Sequence, residues 1–142
     1  GYKDTQAGVS HTLELVKTVK KEFPYFEVYA GFDDNFAHNV LSGGNGCIGG
    51  LSNLVPEVCH AWVDAFRRED LAAARKVQMK INGLMEIYQV GTPFVPYIKA
   101  AIGRRGLEVS SKASFPFVAP TIDDLEKIDR ILEKYGIEKV NG

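Results

Sequence analysis

Apolar and polar positions follow two different periods along the first third of the chain. Residues 26–30 (FEVYA) alternate between the two kinds and are rich in β-forming side chains, which predicts a strand. Residues 46–50 (GCIGG) are small and apolar, as expected for a parallel strand covered on both faces. A third, short strand is expected at the start of the chain, ending near Lys3. Because helical segments separate these strands, the order predicts a parallel α/β sheet.

Two helices are predicted between the strands. In the first, apolar residues recur at helical spacing from Leu13 to Phe23, with Ser10 as the expected N-cap and Pro24 as the stop. The second is predicted over residues 35–41. Gly43 and the glycine after it end that helix, because glycine readily adopts the left-handed backbone common at helix ends.

The chain is predicted to be helical from residue 53 onward. The pattern indicates helix starts at Pro56, Asp70, Thr92–Pro93 and Thr121, and helix ends at residues 103–106 and at Gly136. Thr121 followed by Asp124 is close to a capping box. Residues 109–120 contain proline and serine without a period, which predicts an extended connector.

The composition and net charge of the chain indicate which classes of binding partner to expect. The chain has 142 residues, of which 45% are hydrophobic and 25% charged, with a net charge of −1. This balance argues against nucleic acid or an anionic membrane as the main partner, and no apolar run is long enough to span a bilayer. Cys47 and Cys59 do not make a disulfide framework, so reduced thiols in a cytoplasmic protein are expected.

Lys3 is the first candidate for chemistry. It lies where a strand gives way to a loop, and in an α/β barrel reactive side chains collect at such strand ends. Burial of its stem would disfavour the ammonium form, and a neutral amine can attack a carbonyl carbon. The alternative is an ordinary solvated lysine, which these few residues favour on their own. Asp4 points to the other side of the strand, where a structural pairing on the barrel exterior is expected.

Asp33 and Asp34 form a second candidate site after the predicted strand at residues 26–30. Two carboxylates at a strand end can accept hydrogen bonds from several hydroxyl groups of a polyhydroxylated substrate. The alternative is that they cap the helix predicted over residues 35–41. The three histidines are scattered and lack a metal-ligand spacing, so no metal site is expected.

Three motifs in this order resemble one enzyme family. Residues 1–5 (GYKDT), 31–34 (GFDD) and 46–50 (GCIGG) are similar to the N-acetylneuraminate lyase / dihydrodipicolinate synthase family of pyruvate-dependent class I aldolases. The resemblance implies a (β/α)8 barrel in which the lysine of G-x-K, here Lys3, ends the sixth strand and forms a Schiff base. A complete barrel needs about 250 residues. We therefore expect the last three strands of a barrel in residues 1–54, with further helices packing on it in residues 55–142, and a missing N-terminal half.

The resemblance also assigns roles and a reaction. It implies Lys3 as the catalytic residue and the following substrate-binding residues: Thr5, Gly31, Asp33, Asp34 and Ile48. Family members carry the proton-relaying tyrosine in the N-terminal half, so this chain alone is expected to be incomplete. No cofactor is implied, and a homo-oligomer is expected.

The expected reaction is the reversible cleavage of a 2-keto acid to pyruvate and an aldehyde. Asp34 favours a sugar-derived acid, whereas Gly50 stands where the sialic-acid lyases have a serine, which makes a 2-keto-3-deoxy sugar acid at least as plausible as N-acetylneuraminate. Two alternatives stay open. One is a dihydrodipicolinate synthase (4-hydroxy-tetrahydrodipicolinate synthase), and the other is a non-catalytic half-barrel that serves assembly or binds a keto-acid effector.

Overall fold

The computed structural model describes residues 1–110 and 112–140. The chain divides into two compact units, the first from Gly1 to Gly50 and the second from Leu51 onward. The assignment of residues 1–54 to a barrel and 55–142 to helices packing on it stays a prediction. Among the described residues, no helix combines the length and the apolar character needed to cross a membrane.

The first unit is a parallel sheet with helices in its connections. Its strands are β1 (Tyr2–Asp4), β2 (Val28–Ala30) and β3 (Gly46–Cys47), hydrogen-bonded in that order and all parallel. The connections hold helix α1 (Val9–Glu22), a 3-10 turn (Asp33–Asn35) and helix α2 (Phe36–Leu41). The predicted strand–helix alternation is therefore confirmed, although the strands are shorter than the sequence pattern indicates.

One face of this sheet carries the core of the first unit. Both α1 and α2 pack on β2, and Val28 and Ala30 are completely buried. The buried amide of Asn39 on α2 joins two strands, because its Nδ2 donates to the carbonyl oxygens of Val28 (3.1 Å) and Gly46 (2.7 Å). Helix packing and this amide therefore hold β2 and β3 in register.

The ends of α1 and α2 test the predicted helix caps and stops. The prediction of Ser10 as an N-cap is wrong: α1 begins at Val9 after an extended Gly8, and no side chain caps it. Hydrogen bonds from His11 and Thr12 to Asp4 on β1 hold the first turn of α1 instead. The predicted stop is confirmed, since α1 ends at Glu22, just before Phe23 and Pro24. Gly43 has a φ of +92°, the left-handed backbone expected after α2.

The second unit is helical. Its helices are α3 (Leu51–Leu54), α4 (Pro56–Arg67), α5 (Leu71–Leu84), α6 (Val95–Arg104) and α7 (Ile122–Lys134), with a 3-10 segment at Met85–Gln89. Asp70 caps α5 by accepting from the N–H of Ala73 at 2.9 Å, and Thr121 and Asp124 form the predicted capping box of α7.

The residues directly before α6 and the connector before α7 contain neither helix nor strand where they are described. Thr92–Pro93 does not begin a helix, because α6 starts at Val95 and has proline in its first turn. The connector predicted at residues 109–120 has neither helix nor strand where it is described, and Ser111 lies outside the described residues. Arg105 is buried and holds this unit together by donating to the backbone oxygens of Leu54 and Glu138 and pairing with Glu57.

Candidate active site

The parallel register of the sheet determines which side chains share a face. Lys3 on β1 pairs with Tyr29 on β2, and Tyr29 pairs with Gly46 on β3. Successive residues of a strand point to opposite faces. Since Val28 and Ala30 are buried under the helices, Lys3 and Tyr29 face the other way. A closed barrel turns this helix-free face inward.

The helix-covered face carries a buried carboxylate directly after Lys3. Asp4 is 2% exposed, and its Oδ2 accepts from the hydroxyl of Thr12 (2.6 Å) and from Nδ1 of His11 (2.9 Å). Burial raises the pKa of Asp4, but these two hydrogen bonds outweigh it and hold the pKa below its ordinary value. The expected structural pairing of Asp4 on the exterior of the sheet is confirmed. It ties β1 to the first turn of α1.

Thr5, Gly31 and Ile48 follow the three strands on the helix-free face. The N–H of Gly31 donates to the carbonyl oxygen of Asp4 at 2.6 Å, and that of Ile48 to Ala30 at 2.9 Å, so the register continues one step beyond the strands. A Cβ on Gly31 would lie 2.9 Å from the Cα of Thr5. Only glycine fits there, because a clash with backbone cannot be relieved by a side-chain rotation. Ile48 is 51% exposed.

The two aspartates after β2 have different surroundings. Asp33 is 3% exposed, and its carboxylate fills the space in front of Gly49, where a Cβ would lie 2.0 Å from Oδ1. Asp34 is exposed on the 3-10 turn. The N-cap position of α2 is Asn35, whose side chain makes no capping hydrogen bond. Contact of either carboxylate with substrate stays a prediction, and the burial of Asp33 favours Asp34 for it.

Lys3 is exposed within the described chain. The burial expected for its stem is therefore not provided by residues of this segment. Lys3 lies on the helix-free face, which also carries Thr5, Gly31 and Ile48. The structure thus brings four of the six predicted site residues to one face.

Sequence reasoning missed the contribution of Tyr29 and of the pair His11 and Thr12. The alternating pattern of residues 26–30 predicts that Tyr29 points away from Val28, but only the register reveals it as the neighbour of Lys3. His11 and Thr12 carry no motif, and their role depends on the packing of α1 against β1. In the described part of the chain, no cluster of three or more His, Cys, Asp or Glu side chains could hold a metal ion.

Known proteins match this chain in both sequence and structure. A sequence model of the dihydrodipicolinate synthetase family matches residues 1–135. The chain is 34% identical over 137 residues to the probable 2-dehydro-3-deoxy-D-pentonate aldolase YjhH of Escherichia coli K12, covering 96% of this chain and 46% of the relative. It is 35% identical over 127 residues to the putative 2-dehydro-3-deoxy-D-gluconate aldolase YagE of the same strain, covering 89% of this chain and 41% of the relative.

The solved structure of YagE from E. coli K12 in complex with pyruvate has a TM-score of 0.92 at 31% identity, over 95% of this chain and 45% of that one. The chain thus spans less than half the length of these proteins. The likeness confirms the predicted fold class: an α/β segment with the last three strands of a (β/α)8 barrel and the helices that follow. With nearly its whole length matched by one family in sequence, the chain belongs to the dihydrodipicolinate synthetase family.

Proposed function

We propose that this chain supplies the Schiff-base lysine of a class I aldolase or lyase, which reversibly cleaves a 2-keto-3-deoxy sugar acid to pyruvate and an aldehyde. One observation carries the proposal: Lys3 shares the helix-free face of the sheet with Thr5, Gly31 and Ile48. The likeness to YjhH and YagE, whose names describe such aldolases, supports the choice of substrate class.

The proposed chemistry begins with the amine of Lys3. Its nitrogen attacks the C2 ketone of the substrate and water leaves, which gives an iminium ion. The iminium accepts the electron pair of the C3–C4 bond as that bond breaks and the C4 hydroxyl loses its proton, so that an aldehyde departs and an enamine remains. Protonation of the enamine at C3 and hydrolysis return pyruvate and the free amine. The water released in the first step balances the water consumed in the last.

The other predicted residues take roles that fit their surroundings. Thr5 and Ile48 lie above Lys3 towards the strand ends, where the keto acid would sit, and Gly31 allows the close approach of Thr5 because it has no side chain. Asp34, which is exposed, accepts hydrogen bonds from the hydroxyl groups of the substrate tail. Asp33 holds the backbone at Gly49 in position beside that tail.

Borohydride trapping tests the proposal directly. The native protein that carries this sequence is incubated with pyruvate and borohydride, digested, and mapped by mass spectrometry. We expect a reduced pyruvate adduct on Lys3 and none in the variant Lys3→Met. As a matched control, Lys17→Met changes an exposed lysine of α1 and should leave the adduct intact. No adduct in the native protein, or an adduct on another lysine, would contradict the proposal.

A dihydrodipicolinate synthase is the second candidate, and the description of the matching family favours keeping it. Such an enzyme would use the same lysine with pyruvate as co-substrate but an amino-aldehyde as acceptor. Asp34→Ala separates the two, because the carboxylate serves the hydroxyl groups of a sugar acid. Loss of sugar-acid cleavage supports the aldolase, whereas indifference to the change supports the synthase.

Pyruvate, as product or co-substrate, belongs to this proposal and is supported by the pyruvate complex of YagE. The homo-oligomer and the cytoplasmic location stay predictions. Size-exclusion chromatography with light scattering on the native protein would measure the oligomeric state.

A further inference from the structure

Tyr29 occupies the position beside Lys3 on the helix-free face. It pairs with Lys3 across β1 and β2 and with Gly46 across β2 and β3, so it stands between them in one row. Neighbouring strands are about 4.8 Å apart, which brings the first side-chain atoms of Lys3 and Tyr29 within reach of each other.

The ring of Tyr29 extends towards β3. A Cβ built on Gly46 would meet ring atoms Cδ1 and Cε1 at 3.7 and 3.8 Å, so the ring edge lies against this glycine. Gly46 has a φ of +147°, a backbone conformation that side-chain-bearing residues rarely adopt. The ring therefore fills the space over Gly46, and Tyr29 lies between Lys3 and this glycine in the row.

The far end of the ring is fixed as well. The Tyr29 hydroxyl donates to Oε2 of Glu27 at 2.9 Å, and Glu27 directly precedes β2. This hydrogen bond raises the pKa of Tyr29 above its ordinary value, with smaller contributions from burial and from the negative charge of Glu27. The phenol thus keeps its proton and directs it towards Glu27, away from the strand ends. This arrangement suits a fixed wall better than a proton relay.

We propose that Tyr29 is a positioning residue for Lys3, and that its ring, held between Gly46 and Glu27, directs the lysine stem towards Thr5 and Gly31. On that side of Lys3, Gly31 has no side chain and packs against Thr5. This inference rests on the proposed function of Lys3. It adds a residue that sets where the amine meets the ketone.

Three variants of the native protein test the proposal. The rate of adduct formation at Lys3 is measured at saturating pyruvate with cyanoborohydride. Tyr29→Ala removes the wall and should lower this rate roughly tenfold or more, because a displaced reactive group costs about this much. Tyr29→Phe keeps the ring and should restore most of the rate. Tyr25→Ala, at a tyrosine that is 98% exposed, is the matched control and should react like the native protein.

A second measurement does not depend on pyruvate. Competitive acylation with trace acetic anhydride gives the reactivity of Lys3 relative to Lys17 by peptide mapping. We expect Tyr29→Ala to change this ratio by at least about twofold, and Tyr29→Phe to change it less. If Tyr29→Ala proves poorly folded, Tyr29→Leu retains apolar bulk without the ring and should show the same direction of change.

The outcomes separate the two proposals. If the native protein traps pyruvate at Lys3 and Tyr29→Ala traps it equally fast, the positioning role is wrong. An equal loss in Tyr29→Phe and Tyr29→Ala also overturns it, because the ring would then not be the active feature. If the native protein traps no pyruvate at Lys3, the proposed function fails, and the acylation ratio alone decides on Tyr29. An unchanged ratio would then overturn the positioning role.

Discussion

The two faces of the three-stranded sheet differ sharply although their residues alternate along the same strands. On the helix-covered face, Asp4, Val28 and Ala30 are almost or fully buried. On the helix-free face, Lys3 is exposed and Tyr29 is half-buried. Lys3 and Asp4 are neighbours in sequence, yet one is an exposed amine and the other a buried carboxylate. The comparison teaches that two consecutive residues can serve different ends, here the packing of the sheet at Asp4 and the proposed chemistry at Lys3.

Contacts on the helix-covered face restrain the backbone that carries Lys3 on the helix-free face. Asp4 is held from two directions, since its carbonyl oxygen accepts from Gly31 and its carboxylate accepts from His11 and Thr12. The backbone that carries Lys3 is therefore restrained by contacts that Lys3 itself does not make. The other carboxylate oxygen of Asp4, Oδ1, is buried without a hydrogen-bond partner among the described residues. The hydrogen-bonding capacity of Asp4 is therefore not fully used.

The largest expected effect concerns the helix-free face. Lys3→Met removes the proposed nucleophile, and we expect kcat for the proposed 2-keto-3-deoxy sugar acid cleavage to fall by about 10³-fold or more. Stability should change less than activity, because methionine keeps an unbranched apolar stem in place of the lysine stem. Steady-state kinetics and denaturant unfolding of the native protein check both parts. Full activity in Lys3→Met would contradict the proposal that the helix-free face carries the nucleophile.

The next effect concerns the covered face. Asp4→Ala should lower the free energy of unfolding by about 2–3 kcal/mol, because it removes two hydrogen bonds to a buried carboxylate and leaves the Thr12 hydroxyl unpaired. Urea unfolding monitored by circular dichroism measures it. Glu14→Ala, at an exposed carboxylate of α1, is the control and should stay within about 0.5 kcal/mol of the native protein. Equal losses in the two variants would deny Asp4 its anchoring role.

A smaller effect is expected at the strand ends. Asp34→Ala should lower kcat/KM for the sugar acid by about tenfold, since one set of hydrogen bonds to substrate hydroxyl groups is lost. Trapping of pyruvate on Lys3 should not change, because pyruvate has no such hydroxyl groups. The ratio of the two measurements is the test. An equal loss of kcat/KM and of pyruvate trapping would show that Asp34 maintains the structure of the site and does not recognise the sugar acid.

The smallest effect is a pH dependence of stability. The pKa of Asp4 in the folded chain lies below its ordinary value of 3.8, so the unfolded chain takes up this proton first as the pH falls. The stabilisation is thus present above pH ~4 and is lost as the pH falls through the folded pKa. Unfolding free energies measured between about pH 6 and pH 3 should decline more steeply for the native protein than for Asp4→Asn. Identical slopes would show that the hydrogen bonds of Asp4 do not depend on its charge.

Local signals predicted much of the fold. Asp70, the Thr121–Asp124 box and Gly43 act at the positions where the sequence indicates them, because a cap or a left-handed residue needs only its near neighbours. Ser10 fails as an N-cap because the first turn of α1 is held from β1 instead. Strand lengths were also overestimated, since pairing in a sheet depends on the partner strand and not on the pattern of one segment.

By itself the sequence determined the element order and the parallel α/β class and singled out Lys3 as a candidate, because periods, caps and motifs are properties of neighbouring residues. Only the tertiary structure decided that Lys3, Tyr29 and Gly46 stand in one row, that Asp4 is anchored by α1, and that Asp33 is buried against Gly49. These facts depend on register and helix packing, which join residues far apart in the chain. A motif can name a reactive residue, but the neighbours that orient it come from other strands.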